Sequence, residues 1–240
     1  MCKKILCAIS ICFAGAASAD GQWTIGVLGG GATGVYVGEK DEAGFVPLLS
    51  YDTEKLHVGL DGLSYQVYDY GLGQVDVVLG YRGAPSFPTK NSLFDGLKRD
   101  DALELGISTQ LDFGDIYLGL DTLTDITDAH GGTEADLTIG YVMAAGRFQL
   151  DAAVGARFRN DKLNQYLYGV SASESTSARS AFAAKNTTTG FANLTAAYAI
   201  TENLAAVAQI SYEDIGNNRK SPLVAKSSST GISLGMAWTF

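Results

Sequence analysis

The chain has 240 residues, 46% apolar and only 18% charged, with 26 acidic against 17 basic groups and a net charge of -9. That surplus of acid excludes nucleic-acid binding through a basic surface and attachment to anionic lipid through a basic patch. Glycine at 29 residues with proline at only 4, and no low-complexity tract, excludes a disordered or collagen-like chain.

In chain order, residues 1–19 read first, as a secretory signal outside the fold. Lys3 and Lys4 give a positive start, Ile5 to Ala16 an apolar run too short to cross a bilayer, and Ala17-Ser18-Ala19 a cleavage site before Asp20. All three cysteines, Cys2, Cys7 and Cys12, lie in this segment. Residues 20–240 are therefore expected as a single cysteine-free domain of net charge -11, held by backbone pairing and packing without disulfides.

From there the sequence alternates with period two. About eleven segments follow, near 22–30, 45–53, 55–69, 72–82, 102–113, 115–123, 135–144, 147–158, 190–200, 203–213 and 230–240. In 102–113, Leu103, Leu105, Ile107, Leu111 and Phe113 oppose Glu104, Gly106, Ser108, Gln110 and Asp112. At the end of the chain, Ile232, Leu234, Met236, Trp238 and Phe240 oppose Gly231, Ser233, Gly235, Ala237 and Thr239. Runs of about 9 to 13 residues exceed the usual globular strand and match a tilted membrane strand.

The connections come in two kinds. Gly114-Asp115, Ala145-Gly146 and Thr201-Glu202-Asn203 are tight turns, whereas Gly83–Asp101, Thr124–Glu134, Asn160–Thr189 and Asp214–Ser229 are long and polar. Short turns alternating with long loops predict an all-β fold, a transmembrane antiparallel up-and-down β-barrel with its short turns in the periplasm. Tyr81, Phe113, Tyr117, Phe158, Tyr198, Tyr212 and Trp238 near strand ends suit interfacial girdles. A chain ending on Phe240 after a regular alternating strand resembles the assembly signal of bacterial outer-membrane proteins. A bacterial barrel needs an even strand number, so one strand is split or missed within 22–70; twelve strands are expected, with ten as the alternative.

Chemical motifs are few. Gly29-Gly30-Gly31-Ala32-Thr33-Gly34 fits a dinucleotide fingerprint, but no strand–helix–strand unit surrounds it. His57 is expected to line the lumen or the interface. His130 stands among Asp125, Asp128, Glu134 and Asp136 with no serine beside it, in what reads as a solvated acidic loop without calcium-loop spacing. No catalytic, cofactor-binding or metal-ligating residue is expected, and no cofactor.

Several stretches together resemble the MipA/OmpV outer-membrane proteins, also called MltA-interacting proteins. They are Val46-Pro47-Leu48-Leu49-Ser50-Tyr51, Gly80-Tyr81-Arg82-Gly83, Ala102-Leu103-Glu104-Leu105-Gly106 and His130-Gly131-Gly132 followed by Asp136. Gln165-Tyr166-Leu167-Tyr168-Gly169-Val170-Ser171, Ser221-Pro222-Leu223-Val224 and the terminal strand complete the set. The resemblance implies a non-enzymatic barrel in the outer membrane of a Gram-negative bacterium, in contact with its lipid and lipopolysaccharide. It also implies a scaffold that brings a lytic transglycosylase and a bifunctional murein synthase together, with no nucleic-acid partner. Two alternatives stand beside it. One is a small or gated passive pore, with Glu104, Asp112, Asp136, Arg147, Asp151 and Arg157 lining the lumen. The other is a surface adhesin or antigen using the loops at 160–189 and 214–229.

Overall fold

The alternating segments form twelve antiparallel strands closed into one barrel. The computed structural model describes residues 21–240, so the expected signal at 1–19 lies outside the described residues. The first six strands are β1 (Gln22–Ala32), β2 (Glu42–Asp52), β3 (Leu56–Gly59), β4 (Gly62–Asp69), β5 (Gly73–Arg82) and β6 (Ala102–Phe113). The remainder are β7 (Ile116–Asp125), β8 (Thr133–Ala145), β9 (Phe148–Arg159), β10 (Thr187–Ala199), β11 (Leu204–Asp214) and β12 (Ser228–Thr239). Each strand pairs with its sequence neighbours, and β12 returns to β1.

Closure follows from the solvent. An open sheet edge in hydrocarbon leaves backbone groups without partners, so the last strand must meet the first. Trp238 stands opposite Ile25. Trp23 and Phe240 exchange two backbone hydrogen bonds at 2.9 Å each. Ile232, Leu234, Met236, Trp238 and Phe240 are all exposed on the outer face, while Gly231, Ser233, Ala237 and Thr239 are buried on the inner one.

The expected segment at 55–69 is two strands, β3 and β4, joined at Leu60-Asp61. This is the split that strand parity requires within 22–70. The tight turns stand where expected: Gly114 and Gly146 hold φ of +72° and +61°, a backbone region that L side chains rarely enter. The aromatic girdle needs one correction. Tyr81, Phe113, Phe158, Tyr198, Tyr212 and Trp238 are exposed on the outer face. Tyr117 is out of phase with the outward Ile116 and Leu118. It points into the lumen, lies over Gly140, where a Cβ would come within 2.1 Å of its ring, and donates to Asp151 Oδ1 at 3.1 Å.

The long loops are more than polar connectors. Four of them, at 33–41, 83–101, 160–186 and 215–227, converge on an apolar core of Val35, Tyr36, Phe94, Tyr168, Val170, Ile215 and Leu223. A short helix, α1 (Asp161–Tyr168), stands in the third loop, with the Asn160 side chain accepting from Leu163 N–H at 3.0 Å as its N-cap. The loops also bond to one another: Tyr36 OH donates to Leu167 O at 3.0 Å, Val37 N–H to Leu223 O at 2.9 Å, and Arg99 Nε to Tyr166 O at 2.8 Å. They arise from β1–β2, β5–β6, β9–β10 and β11–β12, so their contacts bridge the outer mouth and cover it as a folded cap.

Candidate functional site

Beneath the cap, the outer part of the lumen is crossed by charge. On β8 and β9 the register sets Glu134 opposite Arg159 and Asp136 opposite Arg157, all on the inward face. Arg157 bonds Asp136 through Nε at 2.8 Å and Glu213 through a terminal nitrogen at 2.8 Å. Arg159 bonds Glu134 through Nε and Glu213 at 2.6 Å. Arg82 reaches Glu104 at 2.8 Å and Glu134 at 3.1 Å. The result is a continuous alternating chain from Glu104 through Arg82, Glu134, Arg159, Glu213 and Arg157 to Asp136. The Phe191 ring supports it, with the Arg157 guanidinium 5.1 Å above its centroid.

The network is tied to the cap. Buried Asn164 of α1 donates to Arg159 O at 3.1 Å and Lys185 O at 2.8 Å, and accepts from Asn218 at 2.9 Å. In the cap itself, Glu174 receives Arg99 at 2.7 Å. Burial works against the Glu174 charge, but hydrogen bonds from Arg99 and from the Ser171 N–H and hydroxyl outweigh it and bring the group down to about 2.

The two histidines occupy built positions, neither arranged as a general base. Asp125 accepts the N–H groups of His130 and Gly131 at 2.6 and 2.7 Å and has no exposed side-chain surface. This corrects the solvated-loop reading: the carboxylate is spent on clamping the loop. The buried His130 ring lies 5.0 Å from Tyr166. Its Nδ1 accepts from Gly132 N–H at 2.9 Å, which assigns the proton to Nε2, 3.3 Å from Glu104 Oε1. His57 on β3 meets Asp52 at 2.5 Å through Nδ1 and Asp61 at 3.0 Å through Nε2. Both ring nitrogens face carboxylates, so neither offers a lone pair to a nucleophile.

The expected lumen residues Glu104, Asp136 and Arg157 come together in the network, and Asp151 pairs with Tyr117 lower down. Arg147 does not join them: it sits at the tight turn after Gly146 and reaches Ile200 O at 3.5 Å. Sequence reasoning missed Arg82 and Arg159. Arg159 was findable, two residues beyond Arg157 and on the same strand face. The Gly29–Gly34 motif lies at the end of β1 and in the loop after it, with no helix following.

Across residues 25–240 the chain matches the family described as MltA-interacting protein MipA. YiaT of Escherichia coli strain K12, which carries an outer-membrane-protein name, is 23% identical over 210 residues, 85% of each chain. YiaT of Escherichia coli O157:H7 is 22% identical over the same share. Among solved structures, the NanC porin aligns with 89% of this chain and 98% of its own, at 11% identity and a TM-score of 0.47.

Proposed function

Because the chain belongs to the MipA family and is an outer-membrane β-barrel, we propose that it is a non-enzymatic scaffold. In this reading its periplasmic end holds a murein hydrolase of the lytic transglycosylase kind and a bifunctional murein synthase at the outer membrane. The observation that carries the reading is the lumen: an alternating chain of arginines and carboxylates crosses it, and a folded cap covers it. Such an interior serves as a rigid wall rather than a conduit. The family description as an MltA-interacting protein supports a murein-associated partner. The occupied lone pair of His130 and the doubly engaged ring of His57 favour a role without catalysis. Cleavage of residues 1–19 and export of 20–240 as one domain belong to the same reading, since such a scaffold works from the periplasmic side of the outer membrane.

The test is a quantitative pull-down of the tagged barrel from gently solubilised envelopes. A murein hydrolase or synthase enriched over an unrelated barrel of similar abundance is the expected result. Stringent pull-downs that never enrich one would end the scaffold reading.

A further inference from the structure

One external connection, 126–132 between β7 and β8, adds no side chain to the apolar core of the cap. It is docked on the cap through its backbone instead. Gly132 lies directly against the first turn of α1: a Cβ there would come within 2.5 Å of Leu163 N and 2.7 Å of Leu163 Cβ, so a larger residue would push the helix away. Next to it, Thr133 N–H donates to the N-cap side chain of Asn160 at 3.1 Å, and Asn160 N–H returns a bond to Thr133 O at 3.1 Å.

Gly132 is held in that seat by His130. Its N–H donates to His130 Nδ1 at 2.9 Å, and its carbonyl accepts from Asp125 N–H at 3.1 Å. The imidazole has no exposed side-chain surface. Its Nε2 lies 3.3 Å from Glu104 Oε1 without a well-formed hydrogen bond, an uncommon condition for a buried polar atom.

Charge surrounds the ring on every side. Glu104 of β6 faces Nε2, and Asp125 Oδ2 of β7 lies 3.9 Å from Nδ1. Arg82 of β5 stands behind Glu104 at 2.8 Å, and Glu134 of β8 behind Arg82 at 3.1 Å. From α1, Tyr166 covers the ring at 5.0 Å, and Lys162 lies beside Gly131. Arg99 and Asp101 of the 83–101 loop act on Tyr166 from its far side.

The Nδ1 lone pair can serve Gly132 or a proton, not both. A proton there turns the acceptor into a donor that meets the Gly132 N–H head-on. Asp125 Oδ2 is an acceptor for the new N–H, but the ring reaches it only by leaving Gly132, and that oxygen already receives the N–H groups of His130 and Gly131.

We propose that His130 is an acid-sensitive latch on the outer face of the barrel. Neutral, it fixes the 126–132 loop onto α1. When it takes up a proton from the external medium, it releases Gly132 and the loop lifts from the helix. Histidine is the side chain whose charge changes in mildly acidic surroundings. Glu174, elsewhere in the cap, keeps its charge down to about 2, so the release is confined to this corner.

The test uses the full barrel, folded in micelles. The chain has two histidines, so ¹⁵N labelling of histidine rings gives two sets of signals, and His57→Gln assigns them. At pH 8 the His130 ring is expected neutral with its proton on Nε2. At pH 5 it is expected to be charged, and hydrogen-exchange protection across 127–133, corrected for intrinsic rate, should fall by about ten-fold or more. Residues 171–179 should be unchanged over the same range. His130→Asn should stay latched at both pH values, because an asparagine oxygen accepts from the N–H two residues on without titrating. His130→Ala should be unlatched at both. Heat-modifiable mobility on gels confirms that each variant is folded. A ring still neutral at pH 5, a charged ring with 127–133 still protected, the same pH step in His130→Asn, or an equal loss across 171–179 would overturn the proposal.

Discussion

Arg159 joins two carboxylates, Glu134 and Glu213, directly beneath the α1 residue Asn164. Removing a partner from a buried ion pair leaves an uncompensated charge, which costs far more than the pair itself contributes. Arg159→Ala is therefore expected to destabilise the folded barrel by about 3–5 kcal/mol, read as a lower urea midpoint in micelles. Arg159→Lys should fall between, because an ammonium lacks the planar fork that serves two carboxylates. An unchanged midpoint for the alanine variant would remove the network from the stability of the fold. Glu174 makes a pH prediction with a definite sign. Its folded pKa of about 2 lies below its ordinary 4.5, so its contribution to the cap is complete above 4.5 and is lost as pH falls through 2. Hydrogen exchange across residues 160–186, corrected for intrinsic rate, should lose protection over that window. In Glu174→Gln protection should already be reduced at neutral pH, with no such transition. A wild-type profile flat from pH 5 to about 2 would contradict the assignment.

At the scale of elements, β12 carries the clearest consequence. Phe240 is 60% exposed on the lipid-facing side, at the rim where its backbone pairs with Trp23. Charge near the interface costs little equilibrium stability, so Phe240→Asp should act mainly on assembly and lower the amount of heat-modifiable barrel in outer-membrane fractions. Deleting Trp238–Phe240 should be worse, since it also removes the Trp238–Ile25 pairing. Thr239→Ser should be mild, because the hydroxyl that meets Thr24 at 3.0 Å is kept. Normal accumulation of folded Phe240→Asp would refute the assembly-signal assignment. The strands were legible in the sequence because each lipid-facing side chain must be apolar, and period two records that directly. The β3–β4 hairpin was legible only in phase: the outward residues are Val58 and Leu60 before the turn, then Leu63, Tyr65 and Val67 after it. The cap was not legible. Val35, Phe94, Val170 and Leu223 come from four different loops with no period, and form a core only once the barrel brings the loops together. The ion-pair chain was half legible: the inward faces of Asp136 and Arg157 follow from alternation, but their pairing depends on a cross-strand register no single strand contains.

For the whole molecule, a twelve-stranded barrel is already narrower than a sixteen-stranded porin. The cap and the ion-pair chain occupy its outer part. Planar-bilayer recordings of the wild type should show little or no stable conductance, and a wide, stable channel would favour the pore over the scaffold. The turns at the other end, among them those at Asp115 and Arg147, are exposed, and under the proposed scaffold role they are where a murein enzyme would bind. In-cell photocrosslinking from these two turn positions, against Ser173 in the external loop at 160–186, tests this arrangement most directly. The account predicts adducts to a murein hydrolase or synthase from the turns and none from Ser173. A folded barrel that yields no murein enzyme from either turn would contradict it.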